Sequence, residues 1–577
     1  MIKKFFKNKK ILIISILLFC FVVILLGLPY KNWWFFGADD FHALFEGYKL
    51  KTFKDLFYCF LDGNIAKGAG PSNYIQPTGP SSFFTTFYRP LYLIYFGIQY
   101  WLFGSYAYPY FLLNIFFHAI NAVILFNIFT YFIKIFPAIL LSLFFAFHPQ
   151  IAYRFGAIVN LHYYINLTLM LLSILLFKKY LDTKKIKYNI FAGFLFLLSL
   201  FTRETSVVLP IIIFFGTYLY INKLKPINLK TFFSQFFINL KLTLNYWLCV
   251  IFFLSLRLYL YPLDLKNLNT HNISIFAKFR NLFLEKIPEF KVFIYDLFGL
   301  SWLAWGKPIL RGSIIIFLFL IIFTFFIKNY RKIYVLYFFL SGLLLLWPSL
   351  LGHYNPRYIY ESYPFLFLSF IFLFKYNNIN LKKFKKFIFT FTFIFILFLI
   401  IFTVKSFSKR EAKYNIMRIA TEKLIQNPKI QNRALCFFGY PTDMFGQQNA
   451  DIFWILLNNP KLQIYFDPTT AITQSDSNLV QDAGWGNIIS NFYDKNYVTI
   501  TQIKNGFNFK TNNPHKVNFD LNDCSYSLGK KIINKIEKIN GINAITDFTL
   551  KIDKKYLDQK PLFIKWNYET KYFEILK

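Results

Sequence analysis

Residues 108–147 read YPYFLLNIFFHAINAVILFNIFTYFIKIFPAILLSLFFAF, an apolar stretch interrupted by a single charged residue, Lys134. Apolar runs of about 18 or more residues read as membrane-spanning helices. Two spans are therefore expected here, centred near residues 120 and 143. Outward in both directions the pattern recurs, from Ile11 to Tyr30 and again near residues 167, 196, 213, 253, 321, 342, 367 and 395. The sum is about eleven spans. The whole chain of 577 residues is 56% hydrophobic and 16% charged, too apolar for an ordinary soluble protein. Phe and Tyr are abundant, but Lys, Asn and Ile rise with them, which marks codon bias rather than function.

The formal charge of +36 raises the question of nucleic acid, because clustered basic residues are the footprint of phosphate binding. Their placement excludes that partner. KNKK, KKYLDTKK, KNYRK and LKKFKK sit at the ends of apolar runs, where short basic loops stay cytoplasmic. Met1 to Tyr30 has a basic start, an apolar stretch too long for a signal-peptide core and no cleavage site, so it reads as a retained first span with a cytoplasmic N-terminus. If Phe84–Phe103 also spanned, the later Lys-rich loops would all fall outside. As an interfacial helix on the outer surface it leaves them inside, in keeping with the charge bias. The segment Lys31–Tyr106, the surroundings of His148, Arg203 and Arg357, and a second loop from Tyr261 to Gly312 carrying Trp302 and Trp305 then face outward.

From Ser406 onward the composition turns polar and Asn-rich. YVTITQI and LFIKWNYETKYFEIL alternate as strands do, whereas GKKIINKIEKI reads as helix. The fold class expected is a mainly α polytopic membrane part, residues 1–405, followed by a mixed α/β extracytoplasmic domain, residues 406–577. Five cysteines show no zinc-site spacing, and Cys436 and Cys524, both in the C-terminal domain, are open to pairing or to remaining two unrelated thiols. No internal repeat of the transporter type is visible.

Chemistry-bearing residues collect on the expected outer face. Asp39 and Asp40 follow the first span, and a carboxylate at a membrane surface can act as a general base toward a hydroxyl; an ordinary solvated pair is the plainer reading. Arg89, in FYRPLYLIYFG, suits a phosphate through its planar fork of donors, or snorkels at the interface. Asn114, His118 and Asn121 share one helix face, where hydrogen bonding between helices outweighs a catalytic use. FAFHPQIAYRFG contributes His148, Gln150 and Arg154; LFTRETSV contributes Arg203 and Glu204; HYNPRYIYESYPF contributes His353, Arg357, Tyr358, Tyr360 and Glu361.

An acidic pair after the first span, then YRPL, HPQ, TRET and PRYIYESYPF in that order, resembles the polytopic glycosyltransferases of GT-C fold, in particular the protein O-mannosyltransferase, aminoarabinose transferase and transmembrane TPR mannosyltransferase group. The resemblance covers residues 1–400 and lacks TPR repeats. It implies a polyprenyl-phosphate sugar donor, an acceptor hydroxyl on a lipid, glycan or protein, transfer at the extracytoplasmic face with inversion, and no cofactor. Asp39 matches the catalytic carboxylate, with Asp40 beside it; Arg89, Arg357 and Tyr358 match donor phosphate-binding positions; His118, His148, Arg203 and Glu204 are further site candidates. The acidic pair is DD rather than DxD, which argues against a metal. A multi-span transporter or lipid flippase is the main rival, followed by another enzyme of glycan assembly. Compact loops and the lack of organelle signals point to a bacterial inner membrane, or an archaeal one.

Overall fold

In the computed structural model the first apolar run forms helix α1, Lys9–Gly27, continued by a short 3-10 turn to Tyr30. The structure describes residues 9–31, 35, 38–61, 88–148, 157–222, 229–260, 332–346 and 359–376, then 393–394, 397–401, 418–430, 433–438, 450–457, 464–466, 473–474, 498–503, 505–511, 517–518, 529–539, 542–558, 561–567 and 572–576. Helix α2, Ala38–Lys49, carries the acidic pair in its first turn. A short helix α3, Phe53–Tyr58, is closed by a capping box in which Asp55 and Thr52 satisfy each other's backbone N–H groups. Helix α4, Pro90–Phe103, starts on a proline and ends at Gly104, whose φ of 56° suits a residue without Cβ. At 14 residues it rises about 21 Å, too short to cross a bilayer core of about 30 Å.

Further helices follow in sequence: α5, Tyr108–Phe132; α6, Ile135–Ala146; α7, Leu161–Thr183; α8, Ile186–Thr202; α9, Leu209–Asn222; α10, Leu229–Leu242; and α11, Leu244–Leu260. Two more, α12, Lys332–Leu344, and α13, Ile359–Tyr376, pack against each other. The chain is mostly helical, with a small C-terminal sheet region.

Of the about eleven spans expected, four stand among the described residues as helices long and apolar enough to cross a membrane: Lys9–Tyr30, Tyr108–Phe132, Ile158–Thr183 and Glu204–Ile221. A fifth results if the pair Gln235–Leu242 and Leu244–Leu260, bent by 62°, is one broken span. The runs near 143, 196 and 342 fold as shorter apolar helices, because their helical register stops at Ala146, Thr202 and Leu344 before a full bilayer thickness is reached. The run near 367 is α13, with Pro364 inside it. The run near 321 and the Tyr261–Gly312 loop lie outside the described residues, and the run near 395 lies there in part.

Further along are helix α14, Ala450–Leu456, and strands β1, Leu435–Phe438; β2, Ile464–Phe466; β3, Thr473–Gln474; β4, Val498–Ile503; β5, Gly506–Thr511; β6, Val517–Asn518; β7, Gly529–Ile539; β8, Ile542–Ile552; β9, Leu562–Asn567; and β10, Tyr572–Ile575. They form one sheet ordered β10-β9-β1-β2, with parallel and antiparallel pairs, a second ordered β4-β5-β8-β7, antiparallel throughout, and the small pair β3-β6. GKKIINKIEKI is thus a strand and not a helix: it is β7, paired antiparallel with β8. Ile532, Ile533, Ile536 and Ile539 satisfy a helical spacing loosely, but β-branched side chains suit a pleated ladder, and pairing with the neighbouring strand decides.

One hydrophobic core joins both parts. Phe41, Leu44 and Phe45 of α2 are buried in the same cluster as Tyr110 and Phe111 of α5, and as Phe437, Phe453 and Ile564 of the sheet region. Helix α14 packs on α2 directly, and its Phe453 meets Phe437 of β1 at a ring separation of 5.1 Å.

Candidate functional site

Hydrogen bonds bring a set of helix ends together: α5 reaches the end of α6 through His118 and the Ala146 carbonyl oxygen and the approach to α7 through Asn114 and the Ala157 carbonyl oxygen, and α7 reaches the α8-to-α9 turn through Asn166 with Ser199 and Ser206. Side-chain bonds tie these ends to α2, α4 and α13. Asp40 is fully buried, and its Oδ1 accepts the Val159 N–H at 3.3 Å, just before α7. An acidic residue in the first turn also suits the positive end of the helix it begins. Asp39 belongs to the same turn, but its side chain lies outside the described residues.

Beyond Val159, the first turns of α7 present a polar face in an otherwise apolar helix. His162 places Nδ1 2.6 Å from the Val159 carbonyl oxygen and meets Tyr92 of α4 edge to face at 5.1 Å. One residue on, Tyr163 lies under the Arg203 guanidinium, 3.6 Å from ring centre to Cζ. Asn166 donates to Glu361 Oε1 at 2.7 Å and accepts from Ser199 and Ser206 at 2.7 and 3.0 Å. Arg203 Nη1 donates to the same Glu361 oxygen at 3.3 Å, with both side chains fully buried. A buried pair of this kind persists only with additional hydrogen bonds and packing, which Asn166 and Tyr163 supply.

The neighbouring residue makes a second ion pair. Glu204 accepts two N–H bonds from Arg89, from Nε at 2.6 Å and from Nη2 to the other carboxylate oxygen. That is the fork-to-fork geometry of guanidinium and carboxylate. This pair keeps some exposure, 11% for Arg89 and 24% for Glu204. Beside it Tyr95 of α4 lies 3.0 Å from Thr202 at the end of α8, and burial pushes the Tyr95 phenol up to about 12, so it stays protonated at neutral pH.

The polar stripe of α5 turns to α13. His118 Nε2 faces the Ala146 carbonyl oxygen at 3.1 Å, an acceptor only, so Nε2 carries the proton and Nδ1 accepts from the Tyr360 hydroxyl at 2.9 Å. Asn121 donates to that hydroxyl at 3.0 Å and to the Tyr164 carbonyl oxygen at 2.8 Å. His148, fully buried, lies 2.7 Å from the Tyr363 hydroxyl through Nε2.

Of the residues singled out by sequence, the structure joins Arg89 with Glu204, Arg203 with Glu361, and His118 with Tyr360, and brings Asp40 and His148 to the same helix ends. Arg89, expected at a donor phosphate, instead faces a carboxylate here. Arg357, Tyr358, His353, Gln150 and Arg154 lie outside the described residues. Tyr163, Asn166 and His162 were missed, although LHYYINLT signals them: a His and an Asn four apart on one face of a span must meet polar partners. Among the described residues no cluster of His, Cys, Asp and Glu has the makings of a metal site. Comparison with known proteins finds no family model that matches the chain and no curated protein whose sequence matches it.

Proposed function

We propose that the chain is a membrane glycosyltransferase of GT-C type that moves a sugar from a polyprenyl-phosphate donor to an acceptor hydroxyl, with inversion, on the extracytoplasmic side of a bacterial cell membrane. The observation that carries this reading is the meeting of four short motifs at one end of the helices: YRPL reaches TRET through Arg89–Glu204, TRET reaches YESYPF through Arg203–Glu361, and HPQ reaches YESYPF through His148–Tyr363. The helix that begins with the acidic pair is tied to the same end by Asp40 and Val159.

In this reading Asp39 takes the acceptor proton, while Asp40, committed to a backbone N–H, holds the turn that presents it. As the glycosidic bond breaks, negative charge grows on the departing lipid phosphate, and Arg89 with Arg357 and Tyr358 stabilises it where water is excluded. Residues 1–405 form the catalytic part and 406–577 the extracytoplasmic domain, whose helix α14 backs the acidic helix α2. A transporter or flippase is the alternative favoured by one observation, the ion pair Arg203–Glu361 buried among the helices.

The test is transfer of radiolabelled sugar from polyprenyl-phosphate donors in membranes bearing the wild type or Asp39→Asn at matched expression. Label should enter an acceptor only with the wild type. Equal transfer by both would remove Asp39 as the base.

A further inference from the structure

Glu204 occupies the docking face of Arg89. Its two carboxylate oxygens accept two N–H bonds from one guanidinium, which is also how a phosphate presents two oxygens to an arginine. The two ion pairs at this end differ in a telling way. Arg203–Glu361 is sealed, with neither side chain exposed, whereas Arg89 and Glu204 stay 11% and 24% exposed. Arg89 is also held at a fixed point, as the residue before Pro90 at the start of α4. Glu204 stands in the first turn of the helical segment that becomes α9, so a carboxylate displaced from Arg89 keeps the favourable field of that helix start.

From this geometry we propose that Glu204 is a place-holding anion: it neutralises Arg89 while the site is empty and gives up the guanidinium when a phosphate group arrives. The inference rests on the reading of Arg89 as a phosphate ligand. It adds that the affinity for phosphate is set by competition with an internal carboxylate, which weakens binding and hastens release of the phosphate product. Removing the competing charge therefore strengthens phosphate binding, the opposite of what a carboxylate that merely orients Arg89 would do.

The experiment measures binding of a polyprenyl monophosphate, and separately of inorganic phosphate, to the full chain in nanodiscs. The variants are Glu204→Gln, Glu204→Asp, Arg89→Ala and Arg89→Ala/Glu204→Gln. Glu204→Gln should tighten phosphate binding on the order of tenfold, as expected for freeing one charge-assisted hydrogen-bonding pair. Glu204→Asp keeps the charge and should stay close to wild type, which separates loss of charge from loss of fold. Arg89→Ala should weaken binding, and Glu204→Gln should give no gain in that background. Tightening toward the lipid phosphate alone identifies the lipid as the source, tightening toward both identifies the bare phosphate as sufficient, and either supports the exchange. If Arg89→Ala weakens binding and Glu204→Gln weakens it too, Glu204 orients Arg89 and the place-holder idea is overturned. A gain from Glu204→Gln that persists without Arg89 overturns it as well, since the effect is then a general field. If Arg89→Ala changes nothing with either probe, the phosphate role of Arg89 itself fails.

Discussion

Glu361→Gln removes the carboxylate charge facing Arg203 while keeping shape and volume. Both side chains are fully buried, and Glu361 Oε1 receives bonds from Arg203 Nη1 and Asn166 Nδ2. Breaking a buried ion pair from one side costs about 3–5 kcal/mol, because the remaining charge keeps its desolvation penalty without its counter-charge. Tyr163 lies beneath the guanidinium before and after the change, so its contact cancels in the difference. A loss of about 3–5 kcal/mol is therefore expected for Glu361→Gln. Arg203→Met, leaving Glu361 as the uncompensated partner, should cost at least as much, since the guanidinium's contact with Tyr163 is lost as well. The double variant should cost less than either single change, because no buried charge of this pair is left behind. The assay is reversible denaturation in mixed micelles, with the four proteins closing a double-mutant cycle. Additive losses would show that the two residues do not act as a pair and would refute the reasoning.

Other expectations come from the same physics. Asp40→Ala leaves the buried Val159 N–H without its acceptor and should cost about 1–3 kcal/mol of stability in thermal denaturation, whereas Asp40→Asn keeps an acceptor oxygen and should cost clearly less. At Gly47 an added Cβ would stand 2.5 Å from the Phe96 carbonyl oxygen of α4, so Gly47→Ala should push α2 and α4 apart, lower stability by about 1–3 kcal/mol and raise proteolysis of α4. Tyr95 binds its proton more tightly folded than unfolded, with its ionisation raised from 10.0 to about 12 by burial. Its stabilising effect is complete below pH 10 and is lost as pH rises toward 12, so Tyr95→Phe should flatten the fall in stability over that window relative to wild type.

Much of the helical part was legible because long apolar runs mark helices that turn away from water, and Lys9–Tyr30, Tyr108–Phe132 and Ile158–Thr183, each long and apolar enough to cross a membrane, stand where their runs stand. Helix length was less legible. In 135–146 the apolar run outlasts the helix, since hydropathy does not register where backbone hydrogen bonding stops. GKKIINKIEKI failed for another reason: its isoleucines fit both periods, and only its partner strand Ile542–Ile552 settles the matter. Within the site, the residue types were visible and their pairing was not. Arg89 and Glu204 are far apart in sequence, so nothing local says that a phosphate-like arginine already faces a carboxylate. Asn166 escaped because His162 and Asn166 together say that polar partners exist but not which, and here Asn166 shares an acceptor with Arg203.

The most direct test of the account follows both halves of a lipid-linked sugar in proteoliposomes containing the purified chain, with the lipid and the sugar labelled separately. The account predicts that polyprenyl phosphate and glycosylated acceptor appear together with the wild type, and that Asp39→Asn still binds donor but forms neither. Intact donor moved from one leaflet to the other, uncleaved, by both proteins would contradict it and establish a flippase in its place.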